Sequence, residues 1–245
     1  MTRELHAVLG CIHVPYHDKG ATRAVLAALR RQKPDVIHLL GDVADCYTIS
    51  MYNKDPARKF LLVDEARQVT TFLDRARDAA PGARFEFYEG NHEDRLRRYI
   101  WAKCPELAKL PGLDTRGIYG LTERNIGFHD YRSPVRIGQL WLHHGEAIRK
   151  YAGWTARAAM LKTGGNVMVA HSHRQGYAPQ TTWEHTLQGW EIGCLCRLDP
   201  EYIIGRPDWQ QGFALLRLGR EAQFGVDLVR AVRGKCWIGG EEYKP

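Results

Sequence analysis

No stretch of the chain approaches the roughly 18 consecutive apolar residues that a bilayer-spanning helix needs. The N-terminal residues Met1-Thr2-Arg3-Glu4-Leu5 lead into an apolar run that stops at His13, too short and too polar at its end for a secretory leader. A cytoplasmic protein that keeps off membranes is expected. Cysteine is sparse: six in 245 residues, at positions 11, 46, 104, 194, 196 and 236. That excludes a disulfide-stapled scaffold, and no pair has the spacing of a zinc knuckle. Cys194 and Cys196 flank one residue, so in a strand both face the same side; they are expected to act as small core hydrophobes. Neither sign of charge dominates, since 35 Lys+Arg against 28 Asp+Glu leaves +7, which permits an anionic partner without demanding one. Internal repeats, low-complexity tracts and linkers are absent. What remains is a chain of ordinary composition, 44% hydrophobic and 26% charged, long enough for a sizeable core and read as a single domain over residues 1–245.

The first half alternates buried-strand and helical patterns. Residues 6–12 and 36–40 are short apolar runs, and 84–88 is a third strand. Between them, 21–31 puts Val25, Leu26 and Leu29 on one helical face before Pro34, and Leu62, Ala66, Val69, Leu73 and Ala76 recur at helical spacing. Strand–helix–strand–helix–strand predicts a largely parallel sheet with helices against it. Residues 105–137, rich in proline and glycine, are expected to form a loop-rich insertion. Beyond it, strand-like runs at 140–143, 167–170, 182–195, 213–218 and 224–232 surround one helical segment at 155–162. The expected architecture is α/β, with two sheets and helices outside.

Each early apolar strand ends in residues that metals bind. The strand ends read Gly10-Cys11-Ile12-His13, Gly41-Asp42-Val43-Ala44-Asp45, Gly90-Asn91-His92-Glu93, His143-His144-Gly145 and Ala170-His171-Ser172-His173. Strand ends are where sites assemble in open α/β sheets. Glycine lets the backbone turn sharply there, and extended geometry points both members of an x-separated pair the same way. Taken singly, a Gly-Asp-x-x-Asp is commonly a turn and a His-x-His commonly structural. Five such ends in this order point to a metal centre.

In this order the motifs resemble those of the calcineurin-like metallophosphoesterases: Asp-x-His, Gly-Asp-x-x-Asp, Gly-Asn-His-Glu/Asp, His-Gly and Gly-His-x-His. The resemblance spans residues 10–173. The later segments Trp190-Glu191-Ile192-Gly193 and Trp209-Gln210-Gln211-Gly212 look like those of phage and bacterial members labelled phosphohydrolases or DNA-repair exonucleases. It implies a two-sheet β-sandwich flanked by helices on both outer faces, and a centre of two divalent transition metals, manganese, iron or zinc. Carried over, Cys11, His13, Asp42 and His173 would hold the first metal. Asp42 would bridge to a second, completed by Asn91, His144 and His171. His143 would pack or bond behind the centre. His92, oriented by Asp45, would give a proton to the leaving oxygen. Two such ions acidify a shared water and clamp the phosphoryl oxygens.

The chain departs from the pattern at two places. Ala170 replaces a glycine, a packing matter. Cys11 replaces the family's aspartate, turning a hard oxygen donor into a soft thiolate that favours zinc or ferrous iron; lariat-debranching enzymes also carry Cys-x-His here. The resemblance implies a phosphoester substrate. Arg95 and Arg174, beside the motifs, are candidate phosphate clamps, whereas Arg97 and Arg98 read as a solvated helix face. With the positive charge and the abundance of tryptophan and tyrosine, a phosphodiesterase or nuclease acting on nucleic acid or nucleotides is expected. The alternatives are a phosphomonoesterase on a small metabolite or phosphoprotein, and a catalytically weak binding module.

Overall fold

The computed structural model describes residues 4–200 and 205–244. Met1, Thr2 and Arg3, on which part of the leader argument rests, lie outside the described residues. The chain runs β1 (Glu4–Leu9), α1 (Lys19–Gln32), β2 (Val36–Leu40), α2 (Leu62–Ala79), β3 (Arg84–Tyr88), α3 (Asp94–Lys103), α4 (Thr115–Ile118), β4 (Ile126–His129), β5 (Val135–Ile137) and β6 (Leu140–His143). It continues with α5 (Trp154–Thr163), β7 (Asn166–Val169), β8 (Gln175–Thr181), β9 (Thr186–Ile192), β10 (Gly212–Leu218), β11 (Phe224–Val232), β12 (Lys235–Ile238) and β13 (Glu241–Tyr243).

Two sheets result: an eight-stranded one in the order β13-β12-β11-β10-β1-β2-β3-β4, and a five-stranded one in the order β5-β6-β7-β9-β8. Strands β1 to β4 are parallel, with Ala7 opposite Ile37 and Ile37 opposite Phe85. Strands β6, β7 and β9 are parallel in the smaller sheet. Period-2 alternation divides the large sheet's side chains between two cores. Ala7, Leu9, Ile37, Leu39, Phe85 and Phe87 face α1 and α2. Val8, Leu40, Tyr88, Ala214 and Leu216 face Leu142, Met168 and Ile192 of the second sheet. Helix α5 covers the outer side of the smaller sheet through Ala156 and Met160. The architecture is the expected sandwich with helices on both outer faces.

The helices have local causes. Asp18 caps α1 by accepting the Ala21 N–H at 2.8 Å, and Lys33, at φ 49°, closes its end before Pro34. Residues 105–137 depart from expectation: this stretch is not purely an insertion. It supplies β4, which pairs in parallel with β3 at the edge of the large sheet, and β5, which edges the small one. The run at 182–195 is the second arm of a β8–β9 hairpin. Among the described residues no helix is long and apolar enough to cross a membrane.

Candidate metal centre

The parallel strands β1, β2 and β3 of one sheet and β6 and β7 of the other all end on the same side, and their ends hold the motif residues. Two donor sets share one carboxylate. Ligand atoms of Cys11, His13, Asp42 and His173 lie within 4.8 Å of one another, as do those of Asp42, His144 and His171. Asp42 Oδ2 is 3.1 Å from His144 Nε2 and 3.7 Å from His13 Nε2. Asn91 Oδ1 is 3.1 Å from His144 Nε2.

Backbone strain concentrates here. Cys11, His13, Asp42, His171 and His173 all have φ between 49° and 60°, the left-handed region that side chains other than glycine seldom occupy. Close approach adds a demand for glycine: a Cβ on Gly90 would lie 2.2 Å from Asp42 Oδ1, and one on Gly41 would lie 2.4 Å from the His144 ring.

The imidazoles are held from behind. His144 Nδ1–H donates to the Leu40 carbonyl at 2.9 Å, which leaves its Nε2 lone pair facing Asp42 and Asn91. His13 Nδ1–H donates to Asp45 Oδ2 at 3.0 Å, while its Nε2 lies 3.1 Å from His173 Nε2. Burial opposes a charge on His13, but the Asp45 and Asp42 carboxylates outweigh it and push the imidazole up to about 9. Burial pushes His171 down to about 4 and His173 well below the usual range. Burial also opposes ionisation of Asp42, yet His144, His92 and His13 hold its carboxyl well below the usual range. Nitrogen, carboxylate and sulfur donors thus converge between His13 and His173. A divalent cation fits that place, and imidazole, carboxylate and thiolate donors suit zinc, iron or manganese.

Cys11 is fully buried, and its Sγ accepts the His171 N–H at 3.1 Å. Asp45 serves two imidazoles: its Oδ2 accepts the His13 Nδ1–H at 3.0 Å and lies 3.5 Å from His92 Nδ1, whose N–H donates at 2.7 Å to the Asp45 backbone carbonyl. His92 Nε2 accepts from Arg95 Nη2 at 3.0 Å, and Arg95 also donates to the Asp45 carbonyl at 2.8 Å. Burial pushes His92 down to about 4, so in the ion-free chain it is a neutral acceptor. Arg174 is drawn away from the centre: its Nε donates to Asp208 at 2.6 Å and its Nη1 to the Arg149 carbonyl at 2.6 Å. Arg97 and Arg98 pair with Asp94. His143 lines a neighbouring cavity.

Two carboxylates escaped the sequence reading. Glu93, inside a recognised motif, accepts N–H bonds from Asp42 at 3.0 Å, Ala44 at 2.8 Å and Gly90 at 2.8 Å, clamping two motif loops together. Glu191 accepts from the first amides of α5, Thr155 and Ala156, and from Ser172 Oγ at 2.6 Å, which fixes the loop carrying His171 and His173. A glutamate inside a glycine-bounded motif was the available signal for Glu93, and the Trp190-Glu191-Ile192-Gly193 segment was the one for Glu191.

Cavities flank the centre. One of about 470 Å³ beside Gly145 is lined by Tyr131, Arg132, His143, Arg149, Ala159 and Lys162, among others. A smaller one against His13 is lined by Tyr16, Tyr47, Arg58, Arg197 and Trp209. Arg58 stacks 4.5 Å from the Tyr16 ring centre and 4.4 Å from that of Tyr47.

The whole chain is similar to solved structures of one fold. Vacuolar protein sorting 29 from Cryptosporidium parvum aligns over 100% of both chains with a TM-score of 0.51 and 13% sequence identity. The shared fold is the two-sheet sandwich with helices on both outer faces. No family profile matches the chain. By sequence it is similar to the gene 54 protein of Mycobacterium phage L5, 27% identical over 262 residues and 97% of each chain. It is equally similar to the gene 54 protein of Mycobacterium phage D29, 27% identical over 263 residues and 97% of each chain.

Proposed function

We propose that the protein is a cytoplasmic metal-dependent phosphoester hydrolase, and within that class a phosphodiesterase acting on nucleotides or nucleic acid. The observation that carries the reading is the pair of donor sets, one buried and one buried except for a half-buried His171, that meet at Asp42. Cys11, His13, Asp42 and His173 would hold one ion, and Asp42, Asn91, His144 and His171 another. Ions bound there lower the pKa of water and neutralise phosphoryl charge.

The chain's own residues do the rest. Asp45 fixes the tautomer and direction of His13, and the Leu40 carbonyl does the same for His144. His92 is anchored through Nδ1, so Nε2, which accepts from Arg95, is the end that would exchange a proton with a leaving oxygen once a substrate displaces that contact. Arg95, in contact with that nitrogen, offers a cation for a phosphoryl oxygen. A phosphoester substituent needs room, and the cavity of about 470 Å³ beside Gly145 supplies it. Tyr16, Tyr47 and Trp209 line the smaller cavity with rings of the kind on which bases stack, and Arg58, which covers the two tyrosines, would have to give way to a base there.

The test is turnover of bis-p-nitrophenyl phosphate against p-nitrophenyl phosphate with manganese added. Faster hydrolysis of the diester is expected, with loss of metal and of turnover on both substrates in Asp42→Asn. A preference for the monoester would favour the phosphomonoesterase reading. Full activity and metal content in Asp42→Asn would remove the centre from the chemistry.

A further inference from the structure

The His173 ring faces two donor sets. Its Nε2 points at His13, while its Nδ1 lies 3.7 Å from Cys196 Sγ on the opposite side. A metal-binding histidine usually gives its outer N–H to a carboxylate or a carbonyl; here that nitrogen meets sulfur. Cys194 Sγ is the third member, and the ligand atoms of His173, Cys194 and Cys196 lie within 4.8 Å of one another. In a tetrahedral zinc site with Zn–S near 2.3 Å and Zn–N near 2.0–2.1 Å, sulfur and nitrogen stand about 3.6 Å apart. The observed separation is close to that value.

The scaffold beneath these atoms is pinned from both sides. The Leu195 N–H donates to the Cys11 carbonyl at 3.1 Å and the Cys194 N–H to the Gln210 carbonyl at 3.1 Å. Gln211 Nε2 donates to the Cys196 carbonyl at 2.9 Å. The Trp209 ring packs edge-on against His173 with 4.2 Å between ring centres, and all three donor residues are buried. The same-side placement of the two thiols, which the alternation of a strand predicts, therefore delivers both to one nitrogen in a dry pocket. Plain core packing asks for neither the convergence nor the histidine.

We infer that Cys194, Cys196 and His173 Nδ1 form a separate site for a thiophilic divalent cation, zinc by preference, backing on to the centre that contains Asp42. With His173 Nε2 engaged in the neighbouring centre, uptake releases three protons to solvent, one from each thiol and one from His173 Nδ1, as two metal–sulfur bonds and one metal–nitrogen bond form, with no change of oxidation state. The Gln210 carbonyl, 3.6 Å from Cys194 Sγ, is an oxygen donor at hand for a fourth position.

X-ray absorption on the zinc-loaded full chain tests this without reference to turnover, so its outcome stands apart from that of the hydrolase reading. The decisive protein is Cys11→Ser, which removes the one thiol of the neighbouring set. A sulfur shell at about 2.3 Å from zinc is expected to persist there and to vanish when Cys194→Ala and Cys196→Ala are added. Absence of zinc-bound sulfur in Cys11→Ser would overturn the site, as would a sulfur shell that survives removal of both thiols. Cadmium titration of Cys11→Ser, read by the thiolate-to-cadmium absorbance, provides a second measurement on a protein that keeps the pair. A two-thiolate band is expected, and no band would overturn the site.

Discussion

Cys11 holds the backbone N–H of His171 through its sulfur, so the residue that sets this chain apart from the metallophosphoesterase pattern also ties the end of β1 to the end of β7. An aspartate at this position can accept the same N–H and bring a hard oxygen to the ion. Cys11→Asp should therefore keep the fold and shift metal preference from zinc towards manganese, whereas Cys11→Ser should lose zinc, because a neutral hydroxyl is a poor donor. Metal content of the three proteins after dialysis against both ions decides it, and unchanged zinc in the serine variant would exclude the sulfur as a ligand. His92 belongs to the same scale. If its Nε2 carries the proton to the leaving oxygen, His92→Ala should lower turnover by about 10²–10⁴-fold on substrates with alkoxide leaving groups. The loss should be far smaller for p-nitrophenolate, which departs without a proton; equal losses would deny His92 that role. The sequence named both residues because each sits in a short glycine-bounded motif. It paired Asp45 with His92 but did not show that the carboxylate also bonds His13 while the carbonyl takes His92, since the division between side chain and backbone depends on how the β2 and β3 loops meet.

Helix α2 reaches the centre through a buried acid. Glu65 Oε1 accepts the Cys46 N–H at 2.7 Å, one residue beyond Asp45, where Cys46 sits at φ 52°. Burial pushes the Glu65 carboxyl up to about 7, with the Cys46 N–H opposing and the Asp45 charge adding to the rise. A carboxyl raised on folding adds stability that is complete below its unfolded pKa and is lost as pH climbs through the folded value. Glu65 should accordingly contribute a loss of about 1–3 kcal/mol between pH 5 and pH 8 to chelator-treated protein, beside the parallel contribution of Glu93, which burial also pushes up to about 7. Glu65→Gln keeps an oxygen for the Cys46 N–H and should flatten that slope in urea titrations; an unchanged slope would assign the pH dependence to another group. The pattern of α2 was legible because Val69, Phe72, Leu73 and Ala76 bury one face. Strands β4, β8 and β13 were not legible, and all three are sheet edges. An edge strand packs one side at most: β8 alternates half-buried with exposed residues and carries Pro179, a residue that only an edge position tolerates.

At the scale of the molecule, the centre joins two sheets that otherwise meet through apolar side chains. Asp42 and Asn91 come from loops of the large sheet, and His144, His171 and His173 from loops of the small one. The five strand-end motifs were legible across 160 residues of chain because each is local, and parallel strands deliver their ends to one side. The clamps Glu93 and Glu191 were not, because their partners are backbone amides that no side-chain pattern marks. An ion bound at Asp42 draws donors from both sheets, a set the unfolded chain lacks, so binding must stabilise the native state. At a free concentration a hundred times Kd the gain is about 2.7 kcal/mol. For a domain of this length each kcal/mol raises Tm by about 2–4 °C, so a rise of about 5–10 °C is expected on adding zinc or manganese to stripped protein. Excess chelator should reverse it, and Asp42→Asn, which weakens both donor sets at once, should show little of it. The melting temperature of wild type and Asp42→Asn, each with ion and with chelator, measures this directly. Equal Tm values for the wild type in both conditions would mean that no ion bridges the two sheets.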